Sequence, residues 1–439
     1  MEEFLIREAG ENSRTFLSTV KDYLRRYRWC MFLAEFKWCM KATIRQLNSS
    51  HTKVVSLEPA SGSKGNVLLS YVIRPFLLKP DEPLPIDHTN YWESLQIAKT
   101  FLELGYNVDV ISEHNTTFYP TKDYAVFVGH RLNFELIAKL LNKDCLKILH
   151  LDTAHSLFLN AAEAHRLLQL QRRKGCTLRP RAFDWPHLAI EHAHCATILG
   201  NEFTIRTFSY ACKPVYRIPI STPFLYPWPE SKDFEACRNR YLWFGSRGFV
   251  RKGLDLVLDA FSEMPEYHLT VCGPIDGEEQ DFVRAYHKEL YETPNIKTVG
   301  WVDIDSSKFL EIMNDCNGLI FPSSCEGQSG GVVTCLHGGL IPILSYESGV
   351  DIDDFGLILK SCSIDEIKNA IRNISSRPPQ ELERMARSAW EFARANHTRE
   401  RFAEEYRKTI VAVLATHAKG DATVAKGSTA PGSGHTTSG

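Results

Sequence analysis

Residues 319–345 constrain the chain more than any other stretch. Leu319-Ile320-Phe321 is an apolar run too short for a helix, and a turn through Pro322, Ser323 and Ser324 leads from it to Glu326-Gly327. Gly330-Gly331 then open a segment in which Val332, Val333 and Leu336 recur at helical spacing. Gly338-Gly339 supply a stop, and Ile341-Pro342-Ile343-Leu344 form a second short apolar run. The pattern predicts strand, loop, helix, strand, the unit of a parallel α/β sheet. The loop is where chemistry is expected. Glycines 330 and 331 carry no Cβ to keep a ligand from their backbone, and the N–H groups that open a helix attract anions. Glu326 shares that rim. Its carboxylate would repel a phosphate but accept hydrogen bonds from hydroxyls attached to one, and a sugar phosphate has both parts.

The run Phe321-Pro322-Ser323-Ser324-Cys325-Glu326-Gly327, followed by Gly339 and Pro342, resembles the signature of retaining GT-B glycosyltransferases of family 4. The resemblance implies an α/β chain of GT-B form, two Rossmann-like domains facing across a cleft, that transfers a sugar from a nucleoside diphosphate sugar to an acceptor hydroxyl. Glu326 matches the first glutamate of the family's E-x7-E motif, which contacts donor hydroxyls. The place of the second, which holds the nucleotide ribose, is taken by Thr334, whose hydroxyl still offers a hydrogen bond.

Composition narrows the classes. At 439 residues and 44% hydrophobic the chain is long enough for two cored domains. A formal net charge of -2 gives no basic field of the kind nucleic acid selects. The twelve cysteines include no CxxC pair, which suits reduced thiols better than a disulfide framework or a zinc site. No run of about eighteen apolar residues reads as a membrane span, and the charged N-terminus lacks a signal peptide's apolar segment. The expected location is the cytoplasm, with a peripheral contact at the cytoplasmic membrane face as a second reading. That reading comes from residues 13–47, where Leu17, Trp29, Phe32 and Phe36 alternate with Arg25, Arg26, Arg28, Lys37 and Lys41. Such a helix either packs its apolar side on the protein or lies on an anionic membrane.

Residues 49–65 read as a linker. Strands follow at residues 66–72, 107–111, 125–128 and 146–149, with a helix from Asn90 to Leu104 between the first two. His88 stands before that helix, His130 just after the third strand, and His150 at the end of the fourth with His155 close behind. In an open α/β sheet these are the places that border the ligand crevice. The segment Asp123–His130 resembles the family's strand ending in a donor-site histidine, which implies a catalytic role for His130; His88, His150 and His155 are candidates for the acceptor side. Arg166, Arg172, Arg173, Lys174, Arg179 and Arg181 crowd a helix and the loop after it. A solvated face is the simplest account of that run, and a phosphate-bearing or lipid-linked acceptor is the alternative.

The second half opens with Tyr241-Leu242-Trp243-Phe244 and the basic turn Gly245-Ser246-Arg247-Gly248-Phe249-Val250-Arg251-Lys252-Gly253. Such a turn aims ionised donors at phosphate, where they bond more strongly than neutral ones. In the resembling family an arginine and a Lys-Gly bind the diphosphate here. Lys252-Gly253 match the latter. Ser246 occupies the arginine's place, leaving Arg247, the preferred candidate, or Arg251. The turn at Gly273 lies near the donor in that family, and Gly327 adjoins Glu326. The acid-rich loop at residues 347–354 is placed to border the nucleotide, yet no metal or other cofactor is expected, since the GT-B pattern needs none.

The expected organisation is a basic helical extension (residues 1–55), an acceptor domain (56–222), a nucleotide-sugar domain (223–385), a helix packing back on the first domain (386–417) and an unordered tail (418–439). The acceptor, whether glycan, lipid-linked or small molecule, is not written in the sequence. Two alternatives stand beside transfer: a catalytically impaired sugar-binding or regulatory protein, suggested by Thr334 and by the lack of the Gly-Gly that the resembling family has after its first strand, where His88-Thr89-Asn90 opens the helix instead, and a nucleotide-sugar epimerase. The intact Glu326-Gly327 and Lys252-Gly253 favour transfer.

Overall fold

Short apolar runs in the sequence become strands, the central ones covered on both faces. The computed structural model describes residues 52–427 apart from Ser61, Ala182, Asp276 and Glu278. Within them the first sheet holds β1 (Val54–Leu57), β2 (Asn66–Tyr71), β3 (Asn107–Ser112), β4 (Val126–Gly129), β5 (Leu146–Leu151), β6 (Cys195–Ile198) and β7 (Val215–Arg217), in the order β1-β3-β2-β4-β5-β6-β7. Every neighbouring pair is parallel except β1–β3. Its helices are α1 (Asn90–Glu103), α2 (Arg131–Ala138), α3 (Ser156–Lys174), α4 (Ala189–His192) and α5 (Glu202–Arg206).

The second sheet is parallel throughout, with β8 (Arg240–Phe244), β9 (His268–Cys272), β10 (Ile296–Gly300), β11 (Gly318–Phe321), β12 (Ile341–Ser345) and β13 (Leu357–Leu359) in the order β10-β9-β8-β11-β12-β13. Around it lie α6 (Leu254–Ser262), α7 (Gln280–Ala285), α8 (His287–Tyr291), α9 (Ser307–Asp315), α10 (Gly330–His337), α11 (Ile364–Ser375) and α12 (Pro379–Asn396), and α13 (Arg399–Gly427) ends the described chain. All six residues of β5 and all five of β12 are buried, as expected of strands with helices on both sides. Each sheet is Rossmann-like, and each reverses its strand order once, between β2 and β4 in the first and between β8 and β11 in the second. Ligand crevices open beyond the carboxyl ends of strands at such reversals.

Two readings of the sequence need correction. Residues 49–65 are not simply a linker, because β1 adds an antiparallel edge to β3. Its alternation of exposed and half-buried residues over four positions is too short to stand out. Asp109 fixes it, taking Ser56 Oγ at 2.7 Å and Lys122 Nζ at 2.8 Å. Nor is the basic run of α3 a solvated face. Arg166 Nη2 donates to Pro322 O at 2.8 Å, Arg173 pairs with Asp255 and Asp259, and Lys174 reaches Asp259 at 3.0 Å and Glu289 at 2.6 Å. The Lys174 ammonium also stands 4.4 Å from the Tyr286 ring centre. These charges bind the first domain to the second. The segment 13–47 lies outside the described residues, as does the end of the tail; α13 itself runs past Ala418 to Gly427.

The chain crosses back between Asn396 and Arg399. Beyond it α13 packs on α1, with Trp92 and Phe402 edge to face at 5.9 Å and Arg399 over Trp92 at 5.4 Å. The domains meet backbone to backbone at Gly327, where a Cβ would lie 2.0 Å from Asp152 O and 2.8 Å from Leu199 O. Both obstacles are backbone and cannot swing aside. Gly327→Ala is therefore expected to destabilise the protein by about 1–3 kcal/mol, the usual cost of overpacking. Urea unfolding measures it, and an unchanged midpoint would contradict the close approach.

Candidate active site

On the second domain's wall, the turn after β8 and the turn after β11 are pressed together by a glycine. Gly253 has φ +74°, and a Cβ there would stand 2.5 Å from Pro322 O, so only a bare backbone lets the turns touch. Glu279 holds the first turn from the other side, accepting the backbone N–H groups of Gly248 and Phe249. This contact carries Lys252 to Glu326, with Nζ 2.7 Å from Oε1, and Ser323 Oγ donates to the same oxygen at 3.2 Å. Burial would raise the Glu326 pKa, but Lys252 and then Arg251 hold it below the ordinary carboxylate value. Lys252 is shifted down by burial, which Glu326 opposes and Arg251 reinforces. Ser329 caps α10 and Gly330 opens it, so the first-turn amides face the same space.

The first domain supplies the facing wall. Tyr71 ends β2, Arg131 opens α2, Asp152 follows β5, and His88 and Glu93 come from the entrance to α1. Together with Arg181, Arg251, Lys252, Glu326, Gly330 and Thr334 they line one cleft of about 800 Å³. Asp152 Oδ1 lies 2.8 Å from His130 Nε2 and 3.3 Å from Arg131 Nη2. Burial would raise its pKa, yet His130 and Arg131 hold the carboxyl well below the usual range. Arg131 is left-handed, with φ +48°, a costly conformation for a residue with a side chain. Asp152 and Asp184, 3.7 Å from Nη1, hold the guanidinium at the cleft wall.

The structure brings Glu326, Lys252, Arg251, Gly327, Gly330, Gly331, Thr334 and His88 to the cleft. His130 stands behind Asp152, nearly buried, and edge to face with Tyr71 at 5.6 Å. Arg247 is exposed and is not among the lining residues. Gly273 lies beneath the floor, where a Cβ would meet Gly245 O at 2.5 Å. His150 is in the core, bonded to Thr197 at 2.9 Å, with its pKa lowered to about 4 by burial. His155 caps α3 through Leu157 N and contacts Tyr210 OH at 3.2 Å. The acid-rich loop after β12 braces Glu326 through Glu347 O and ties Asp351 to Arg217. Sequence reasoning passed over Asp152, Arg131, Tyr71 and Glu93. A carboxylate just beyond a strand end was the signal for Asp152; nothing marked Glu93. Among the described residues no three His, Cys, Asp or Glu side chains converge as a metal site requires.

Neither a protein-family model nor a curated protein matches this chain. Solved structures do. Sucrose-phosphate synthase from Thermosynechococcus elongatus aligns over 80% of this chain and 99% of its own, with TM-score 0.54 and 15% identity. The fold is GT-B. An α,α-trehalose 6-phosphate synthase from Burkholderia multivorans aligns over 82% of this chain and 100% of its own at TM-score 0.54 and 10% identity. Anabaena HepE in complex with UDP and glucose aligns over 80% and 100% at TM-score 0.51 and 12% identity. Against TarM the chain spans only 54% of the other's length, at TM-score 0.47.

Burial moves the Glu93 carboxyl of the cleft toward neutrality. Glu93 is fully buried, and burial pushes its pKa up to about 7 although Ser221 N and Oγ both donate to Oε1 at 2.9 Å. Its Oε2 has no partner among the described residues. Because the folded state keeps this proton more tightly than the unfolded chain, Glu93 contributes stability below about pH 4.5 that is lost as pH rises through about 7. Glu93→Gln keeps the acceptor oxygen and removes the charge. The variant is expected to be more stable than wild type at pH 8, by an amount on the order of 3 kcal/mol, and to match it near pH 4.5. Thermal unfolding at the two pH values measures it, and equal differences at both would remove Glu93 as the cause.

Proposed function

We propose that the protein is a retaining glycosyltransferase of the family 4 kind, which moves a sugar from a nucleoside diphosphate sugar to an acceptor hydroxyl. The observation that carries the reading is the Lys252–Glu326 pair, 2.7 Å apart between a basic turn and the first turn of α10. Cation, carboxylate and helix N-terminus together suit a ligand that is phosphate at one end and hydroxyl-bearing at the other. A donor phosphate would take Lys252 and Arg251, and a donor sugar would take Glu326. The HepE neighbour holds UDP and glucose, the same two chemical parts.

Charge sets the roles. As the glycosidic bond breaks, negative charge develops on the diphosphate, and Arg251, Lys252 and the amides of Gly330 and Gly331 stabilise it where it appears. The acceptor proton passes to the leaving phosphate, so no separate base is needed, and Arg251 and Lys252 supply the positive charge that a metal would otherwise bring. The acceptor enters against the first domain, where Asp152, Arg131 and His88 face it, and the shared cleft holds both reactants in place. His130 acts as a positioning residue by orienting Asp152. Thr334 Oγ1 donates to Gly330 O at 2.8 Å, leaving its oxygen as the acceptor where the family has a carboxylate toward the ribose. The division into an acceptor domain and a donor domain belongs to the same proposal. So does cytoplasmic residence, with residues 13–47 either packed on the protein or in contact with an anionic membrane surface.

A panel of nucleotide sugars screened by thermal shift, followed by nucleoside diphosphate release with candidate acceptors, identifies the substrates. Two substitutions then test the site by calorimetry. Lys252→Ala removes a charged donor and strands Glu326, so nucleoside diphosphate affinity should fall by about 1.5–3 kcal/mol. Glu326→Gln releases Lys252 from its pair, so the bare diphosphate should bind as well or more tightly while transfer falls. If Glu326→Gln weakened the bare diphosphate as much as the nucleotide sugar, Glu326 would be supporting the loop, and its place in catalysis would be lost.

A further inference from the structure

We infer that Arg181 of the first domain and Arg251 of the second form a phosphoryl-binding site that is complete only when the two domains face each other. The inference rests on the glycosyltransferase reading and extends it to a residue from the opposite domain.

The two side chains converge over one glycine. Gly248, with φ +92°, would place a Cβ 3.4 Å from Arg251 Nε and Nη2 and 3.6 Å from Arg181 Cδ. Both residues line the cleft. Arg251 is only 9% exposed, and its Nε is buried without a hydrogen-bond partner among the described residues. The carboxylates nearby are engaged elsewhere. Glu279 accepts the Gly248 and Phe249 amides, Glu163 accepts Arg181 N at 2.9 Å, and Glu326 is paired with Lys252. The loop that carries Arg181 is itself fixed across the domain boundary, since Arg179 N donates to Asp281 Oδ2 at 2.9 Å.

Two adjacent guanidiniums in a partly closed cleft repel each other, and desolvation adds to the cost. Arg181 shows both effects: its pKa is lowered by loss of solvation and then by Arg251, with Glu279 opposing and Arg247 adding to the depression. An anion between the two reverses that balance. Planar guanidinium forks fit phosphoryl oxygens in pairs, which makes a phosphoryl group the chemistry of choice. It comes either from the donor diphosphate or from a phosphate on the acceptor. In both cases Arg181 would report domain apposition, because it reaches the site from the first domain.

The test is calorimetry on the full chain with two probes, inorganic pyrophosphate and glucose 6-phosphate, for wild type, Arg181→Gln, Arg181→Lys and Lys252→Ala. Arg181 is exposed, so its variants should melt as wild type does. The expected result is a loss of about tenfold or more in affinity for one probe in Arg181→Gln, in line with one charged hydrogen-bonding pair. Arg181→Lys, which keeps the charge and loses the fork, should recover only part of it. Loss confined to pyrophosphate assigns the site to the donor, and loss confined to glucose 6-phosphate assigns it to the acceptor. Wild-type affinity of Arg181→Gln for both probes, with pyrophosphate still weakened in Lys252→Ala, overturns the inference and leaves the transferase reading standing. Unchanged binding in Lys252→Ala as well overturns both.

Discussion

The cleft depends on backbone touching backbone at two glycines. Gly253 lets the turn after β8 lie against Pro322, and Gly327 lets the loop after β11 lie against Asp152 O and Leu199 O of the first domain. The first contact sets the reach from Lys252 to Glu326, and the second sets the reach from Glu326 to the opposite wall. A side chain at either place would separate charged groups whose attraction falls off with distance and strengthens with burial. Gly253 lies outside the cleft lining, and Gly327 borders it. Their role is to make the neighbouring side chains meet.

Charge is distributed between two different tasks. At the seam away from the cleft, Arg166, Arg173 and Lys174 of α3 are matched by Pro322 O, Asp255, Asp259 and Glu289. Buried pairs of this kind gain little net stability against burial of apolar groups, because desolvation offsets the attraction. They do select one arrangement of the domains over others, since each unmatched partner would be costly. Within the cleft the matching is incomplete. Lys252 has its carboxylate, while Arg251 keeps a buried Nε without one. Arg166 Nη1 and Asp255 Oδ1 at the seam are also buried without a partner among the described residues, and what sets Arg251 apart is that it lines the cleft.

The sequence made the second domain legible because its strands are apolar runs bounded by glycines and its loops contain residues of unusual type, such as Lys252-Gly253 and Glu326-Gly327. The first domain was less so. β1 alternates over only four residues, and its place beside β3 comes from Asp109, a partner far along the chain. The four candidate histidines were visible, but each is linked to other protein groups: His88 to Asn90, His150 to Thr197, His155 to Leu157 and Tyr210, and His130 to Asp152. A strand-end position says that a residue is near the crevice, and only the packing of its neighbours decides which side chain reaches it. Asp152 reaches it because His130 and Arg131 pull one of its oxygens back and so aim the carboxylate. Glu93 was illegible for a related reason, since its partner Ser221 lies in the connection between the domains.

That connection ties the cleft to both crossings between the domains. Ile220 N donates to Gln328 Oε1 at 2.7 Å, and Ser221 donates to Glu93. Ile220 O is 3.3 Å from His397 Nδ1 at the return crossing, and His397 O is 3.0 Å from His337 Nε2 at the end of α10. Both histidines are pushed down to about 4 by burial, so they are neutral at ordinary pH and serve as fixed hydrogen-bonding groups. The outgoing and returning crossings, the glycine loop beside Glu326 and the entrance helix of the first domain are therefore tied to one another within a few residues. Gln328 adjoins Gly327, and α10 begins at Gly330 beside the cleft and ends at His337, which is bonded to the return crossing. Separating the two domains would break these bonds together.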